Sequence, residues 1–272
     1  MKRIFYSIAL ASTLFAGSAF AGPSAKFAAT YTKGIGLGSV AYVSGNTDAA
    51  DFDLDAGYTL ATIKVPQDKE LLVGVSANVG IVTDTSIKGK NGGAARAIAG
   101  GGAGVIVFAV PHDGGAPVAL GEPGFVILNG RVQVLDATLG GVIESCEDTT
   151  GGTDINGNNP GDEGYIDTPD GKIDIATECL VTDEEIGLAL GTMSANHFNF
   201  VLPNMDQGEY DIVAFFVTGA LAAIDINETS VSEGGTVEAS AFGLAFIGKT
   251  MVTVQQVRAA KGGIIESDIE DL

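Results

Sequence analysis

The chain has no tryptophan, two cysteines and two histidines among 272 residues, and only 14 Lys+Arg against 34 Asp+Glu. Each shortage excludes something. A formal charge of -20 with no Lys/Arg run repels phosphate backbones, so nucleic acid is excluded as a partner. The missing tryptophan argues against a sugar cleft, which leans on aromatic platforms. With His112 and His197 alone, and no Gly-x-Ser-x-Gly elbow near either, Ser-His-Asp or Cys-His catalysis has little to work with. Both read as surface or packing histidines, and the chain reads as not an enzyme. The longest apolar run after the N-terminal segment, Ile212 to Ile224, contains Thr218 and Gly219 and is too short for a membrane helix. Low charge content (18%) and 46% hydrophobic residues nevertheless allow a buried core, so the chain should fold.

Lys2 and Arg3, the apolar stretch Ile4 to Phe15, and Ala19-Phe20-Ala21 form a secretory signal at 1–21, with Gly22 the expected mature N-terminus. Residues 22–272 are then a single exported domain without a transmembrane anchor, placed in a periplasmic, cell-surface or extracellular setting.

Runs of β-branched and aromatic residues bounded by Gly, Pro, Asn or Asp predict strands. They fall at Lys26–Thr32, Ser39–Ser44, Tyr58–Lys64, Leu71–Val82, Gly104–Val110, Gly124–Leu128, Arg131–Leu135, Phe198–Leu202, Tyr210–Val217, Thr236–Ala241 and Met251–Val257. Val65 to Asp68, Pro111 to Gly115 and Asn129-Gly130 read as chain reversals, with Asn129-Gly130 the strongest hairpin signal. The glycine-rich stretch Gly89 to Gly104 lacks the Lys-Ser/Thr of a phosphate loop and reads as a flexible loop. Asp51-Phe-Asp-Leu-Asp55 reads as a strand with a solvated acidic face, and Glu266 to Leu272 as an acidic tail. The fold class expected is all-β: an antiparallel Greek-key or jelly-roll-like sandwich with one short helix and a disulfide-closed acidic loop insertion. Thr182-Asp-Glu-Glu185 is a capping box, and Ile186, Ala189 and Leu190 continue it as a helix ending at Gly191.

The segment Phe198 to Val217 reads strand, polar turn, Gly208-x-Tyr210, strand. It resembles the tyrosine corner of immunoglobulin-like sandwiches, in which a Tyr hydroxyl returns to backbone a few residues upstream. The resemblance implies architecture and transfers no function, since the antibody-type cysteines and tryptophan are missing.

Most of the chemistry lies between Cys146 and Cys179, in the insertion 146–179. An even pair in an exported protein is expected to bridge. The enclosed residues hold Glu147, Asp148, Asp154, Asp162, Glu163, Asp167, Asp170, Asp174 and Glu178 with one lysine, Lys172, and a bound cation would relieve their repulsion. Calcium is the expected cofactor, because it takes 6 to 8 oxygen ligands in flexible loops. Asp154-x-Asn156-x-Asn158 sets side-chain oxygens on alternate residues, and Asp162, Glu163, Asp167, Asp170, Asp174 and Glu178 complete the candidate ligand set. Asp167-Thr-Pro-Asp-Gly-Lys-Ile-Asp174 resembles the Asp-Gly-x-Ile-Asp heart of EF-hand and dockerin loops, where the Gly turns sharply and the Ile packs beneath. Counted on that pattern, Ile166 stands where a first carboxylate belongs and Thr177 at the twelfth position, so the site is irregular. Affinity is expected at ~0.1–1 mM, the range of extracellular modules.

Rigidity and acidity together point to an exported structural or adhesive protein of a matrix, surface layer or filament, with itself or other surface proteins as partners. A small-molecule or glycan-binding module, with the insertion as specificity loop, is the alternative. A carboxylate-pair hydrolase ranks third.

Overall fold

The computed structural model describes residues 27–32, 36–55, 57–66, 69–227 and 235–257. The expected signal at 1–21 and the acidic tail at 266–272 lie outside the described residues. The strands are β1 (Phe27–Thr32), β2 (Leu37–Ser44), β3 (Asp48–Leu54), β4 (Tyr58–Val65), β5 (Lys69–Lys90), β6 (Gly93–Pro111), β7 (Ala119–Leu120), β8 (Val126–Leu139), β9 (Val142–Cys146), β10 (Cys179–Thr182), β11 (Glu184–Met205), β12 (Gly208–Asn227) and β13 (Thr236–Val257), with one four-residue helix, α1 (Ile175–Glu178).

The expected antiparallel sandwich is what forms. One sheet runs β1-β13-β5-β11, with β2 beside β1 on the same edge of β13; the other runs β3-β12-β6-β7, with β4 beside β3 and β8 beside β7. β9 and β10 make a separate two-stranded ribbon. Burial alternates along each strand as a two-residue repeat requires: Leu37, Ser39, Ala41 and Val43 of β2 point inward, and Val40 and Tyr42 point out.

Two buried clusters fill the space between the sheets. One is built on large side chains, including Phe200, Phe216, Ile63 and Leu71. The other is mostly alanine, from Ala41, Ala95, Ala97, Ala99, Ala220, Ala222, Ala239 and Ala241. Between them the chain is small or polar. A Cβ on Gly243 of β13 would lie 2.3 Å from the Gly100 carbonyl oxygen and 2.6 Å from that of Leu221, so the backbones of opposite sheets nearly touch. That closeness lets short side chains bond across the sandwich. Ser39 Oγ donates to the Thr218 carbonyl at 3.1 Å and lies 2.9 Å from Thr218 Oγ1; Thr83 Oγ1 donates to Gln133 Oε1 at 2.8 Å. Each of these buried polar groups therefore has a partner.

The structure corrects four expectations. The capping-box helix after Thr182 is the start of β11, a 22-residue strand paired with β5 from Glu184 onward. The capping side chains bond across strands instead: Thr182 Oγ1 donates to the Val142 carbonyl, Asp183 takes Thr236 Oγ1 and Lys88, and Glu185 takes Ser86 Oγ. The stretch Gly89 to Gly104 is the end of β5 and over half of β6, joined by an Asn91-Gly92 turn with φ of 51° and 84°. That turn passes the chain from one sheet to the other, and its N–H groups donate to the Leu139 and Gly140 carbonyls. Asn129-Gly130, read as a hairpin, lies inside β8 opposite Ala103 and Gly102. Finally, the predicted pairs 124–128 with 131–135, and 236–241 with 251–257, are each one strand; β13 absorbs its polar middle through a bulge between Ile247 and Thr250. Pro111 to Gly115 is a reversal as expected, returning β6 into β7. Gln67 and Asp68, in the reversal expected at 65–68, lie outside the described residues.

The Tyr210 hydroxyl donates to the Asp206 carbonyl, four residues upstream, at 3.2 Å. A Cβ on Gly208 would lie 3.0 Å from the Tyr210 ring, which accounts for the Gly-x-Tyr spacing.

Candidate functional site: an acidic insertion and an apolar groove

The insertion leaves the sandwich between β8 and β11, at an edge of both sheets. β9 and β10 form its stem, Cys146 stands opposite Cys179 in register, and the two are joined by the expected disulfide. Beyond the bridge, carboxylates organise the loop by accepting backbone amides. Glu178 is buried and takes the N–H groups of Asp174 (2.8 Å), Thr149 (2.8 Å) and Thr150 (2.7 Å), plus Thr150 Oγ1 (2.9 Å). Donation from Asp174 first, then from Thr149 and Thr150, lowers its pKa from 4.5 to about 2. Asp154 is also buried. Burial opposes its ionisation, but the Asn158 backbone and side-chain amides and the Asn156 N–H prevail and hold its pKa below the usual carboxylate value. Asp148 takes the amides of Asp170 and Gly171, Asp162 that of Asn159, and Asp170 that of Lys172.

Asp154 accepts the backbone N–H groups of Asn156 and Asn158 and the Asn158 side-chain amide, so the two asparagines meet the aspartate as donors rather than through side-chain oxygens. Gly171 and Gly164 adopt φ of 83° and 84°, a left-handed turn that glycine takes at no steric cost. Ile173, which the EF-hand resemblance placed beneath the loop, is 47% exposed. Glu163, Asp167 and Asp174 lie on the exposed side of the insertion. Among the described residues no three His, Cys, Asp or Glu side chains converge as a group that could hold a metal ion. Sequence reasoning treated these carboxylates as charges in need of a cation and missed the backbone amides as their partners.

The histidines behave as read. His112 Nδ1 lies 3.0 Å from Asp211 Oδ1, and the hydrogen bond and charge of Asp211 raise its pKa. His197 sits between Ser76 Oγ (2.8 Å) and Asn199 Oδ1 (3.1 Å). The solvated acidic face expected at Asp51, Asp53 and Asp55 is tied to backbone at two of the three. Asp51 accepts the Val40 N–H and Asp55 accepts those of Gly57 and Phe216, while Phe52, at 75% exposure, stands on the outer surface.

Phe52 belongs to a second feature that sequence reading missed. The outer face of the β12-β6-β8 sheet carries an apolar groove of about 470 Å³ whose floor is glycine: Gly102 and Gly104 of β6, Gly130 of β8 and Gly219 of β12. The Phe52 ring lies over Gly219, where a Cβ would sit 2.8 Å away, and the Phe125 ring over Gly104, where it would sit 2.3 Å away. Exposed Ile127, Val132 and Leu221 complete the walls. Its chemistry is shape and dispersion, suited to a flat apolar surface. The signal was the glycine spacing itself, because glycine inside a strand often marks a close approach to another group.

Among the described residues no helix is long and apolar enough to cross a membrane. No protein-family model matches this chain, and no curated protein matches it. Among solved structures, a chain from the structure of the Gx strain of infectious bursal disease virus aligns over 78% of this chain and 41% of its own length, at 10% identity. This chain therefore spans about two fifths of that one, and the TM-score of 0.10 means that the alignment carries no argument about fold or function.

Proposed function

We propose that the protein is an exported structural or adhesive component of a matrix, surface layer or filament. One observation carries this reading: a chain of net charge -20 keeps large apolar side chains exposed along sheet surfaces, including Phe52, Ile127, Val132 and Met193. Exposed apolar patches on an otherwise acidic surface mark sites of association. The disulfide and the amide-bonded carboxylates support a rigid insertion, and Ile155, 94% exposed there, supports an adhesive tip. Calcium is proposed as the ion that binds the insertion, with Asp162, Glu163, Asp167 and Asp174 supplying oxygens alongside Asp154, Asn156, Asn158, Asp170 and Glu178. The Tyr210 corner supports an immunoglobulin-like kinship of architecture. Electron microscopy of purified protein with calcium should show ordered multimers that chelator disperses; isolated particles under both conditions would refute the reading.

The groove favours a second reading, a module that binds a flat apolar small molecule, since its volume falls within the range of ligand pockets, about 300–1,000 Å³. A thermal-shift screen that finds a ligand for a strictly monomeric protein would favour this over assembly.

A further inference from the structure

We propose that the free edge of β11 is a self-pairing surface that accepts β11 of a second copy of this chain as an antiparallel strand. The inference rests on the assembly reading and gives it a partner and a geometry. Among the described residues β11 ends its sheet and, apart from one bridge between Val201 and Glu122, pairs with β5 alone. The opposite edge of that sheet is divided between β1 and β2, of 6 and 8 residues, whereas β11 spans 22 residues and keeps one register with β5 from Glu184 to Leu202.

The direction of its free groups follows from one bridge. Val201 exchanges both backbone hydrogen bonds with Glu122, at 2.8 and 3.1 Å, on the side away from β5. The β11–β5 register has no shift between Glu184 and Leu202. By the two-residue repeat, Gly187, Ala189, Gly191, Met193 and Ala195 also turn N–H and C=O outward. Natural edges are blunted by charge, proline or bulges. From Ile186 to Leu202 this edge has no Asp, Glu, Lys, Arg or Pro. Small side chains at Gly187, Ala189 and Gly191 leave the backbone uncovered, and a Cβ on Gly191 would meet no atom within 4 Å.

Backbone groups in a row select a strand, and charge selects which strand. Two copies at -20 repel wherever carboxylates oppose each other. Antiparallel pairing centred on Gly191 is two-fold symmetric, and it sets Glu184 and Glu185 of each copy against Phe198 and His197 of the other. No like charges face, and the Glu185 carboxylate meets an imidazole. The hydrogen-bonded pairs are Gly191 with Gly191, Ala189 with Met193, and Gly187 with Ala195.

The test uses purified, oxidised protein in ~0.15 M salt, where screening acts over about 8 Å. Ala189→Pro removes an outward N–H that has no backbone partner among the described residues. It should reduce multimers to monomers in sedimentation velocity while the circular dichroism spectrum stays that of the parent. Gly191→Cys should form covalent dimers on mild oxidation, because hydrogen-bonded pairs have Cα atoms about 5.5 Å apart, within disulfide reach of about 4.4–6.8 Å. Gly187→Cys, facing Ala195, should not. Multimers that survive Ala189→Pro, with Gly191→Cys uncrosslinked, overturn the edge and leave the assembly reading standing; a parent protein monomeric at every concentration overturns both. If Ala189→Pro fails to fold, the two cysteine variants decide.

Discussion

Replacing Gly243 with alanine tests the close approach of the two sheets. The new Cβ would lie 2.3 Å from the Gly100 carbonyl oxygen and 2.6 Å from that of Leu221, against an ordinary C···O contact of about 3.3 Å. Both obstructing atoms are backbone, held in the β12–β6 ladder, so no side chain can swing aside. The sheets must part by about 1 Å, a gap that forfeits a quarter to a half of each dispersion contact across it. It would also stretch the Ser39–Thr218 and Thr83–Gln133 bonds. Overpacking typically costs about 1–3 kcal/mol, and this site belongs at the upper end. At roughly 2–4 °C per kcal/mol for a domain of this size, Tm should fall by about 6–12 °C. Gly191→Ala is the matched control: with no atom within 4 Å of its Cβ, it should be neutral or stabilise by about 0.4–1 kcal/mol. Gly80→Ala should fall between, because its obstacle is the Phe246 ring at 2.2 Å, which can turn. Thermal and urea unfolding of the three variants provide the comparison. Equal Tm values for Gly243→Ala and Gly191→Ala would refute the reasoning.

Three further outcomes follow from the same geometry. Replacing Cys146 and Cys179 with serine opens a bridge of sequence separation 33, so insertion amides should lose about 3–4 kcal/mol of protection in hydrogen exchange while β5 and β12 amides do not. Glu178 has a folded pKa of about 2 against 4.5, so its contribution to insertion stability is complete above about pH 4.5 and disappears as pH falls toward 2. Glu178→Gln should abolish that acid-dependent part of the exchange profile, and an unchanged profile would show that the amide cage does not form. Tyr210→Phe removes the bond to the Asp206 carbonyl and should cost about 0.5–1.5 kcal/mol in urea unfolding, with no change in the spectrum of the folded state.

The strand class was legible wherever β-branched residues dominate, as in Leu71–Val82 and Tyr210–Val217, because alternation there matches burial directly. It failed where composition and context disagree. Ile186 to Gly191 follows a capping box, carries the helix formers Leu188, Ala189 and Leu190, and ends in a glycine stop, so it reads as a short helix. The ladder to β5 and the bonds from Glu185 to Ser86 and Asp183 to Lys88 hold it extended, so tertiary pairing overrode local preference. Hairpin reasoning failed at Asn129-Gly130 because β6 pairs straight across both residues and holds them inside β8; the Asn-Gly turn that does form, at 91–92, crosses between the sheets. The disulfide and the acidic insertion were visible in the sequence because they are local. The groove was not, since Phe52, Gly102, Gly130 and Gly219 meet only through the pairing of β3, β12, β6 and β8. Glycine spacing hints at a close approach, but it does not name the rings of Phe52 and Phe125 that lie above Gly219 and Gly104.

Self-association of this acidic sandwich can be read from sedimentation velocity of the oxidised protein with calcium, from micromolar concentration upward. The weight-average mass should climb with concentration above that of one chain. A mass fixed at that of one chain throughout, with and without chelator, would contradict it.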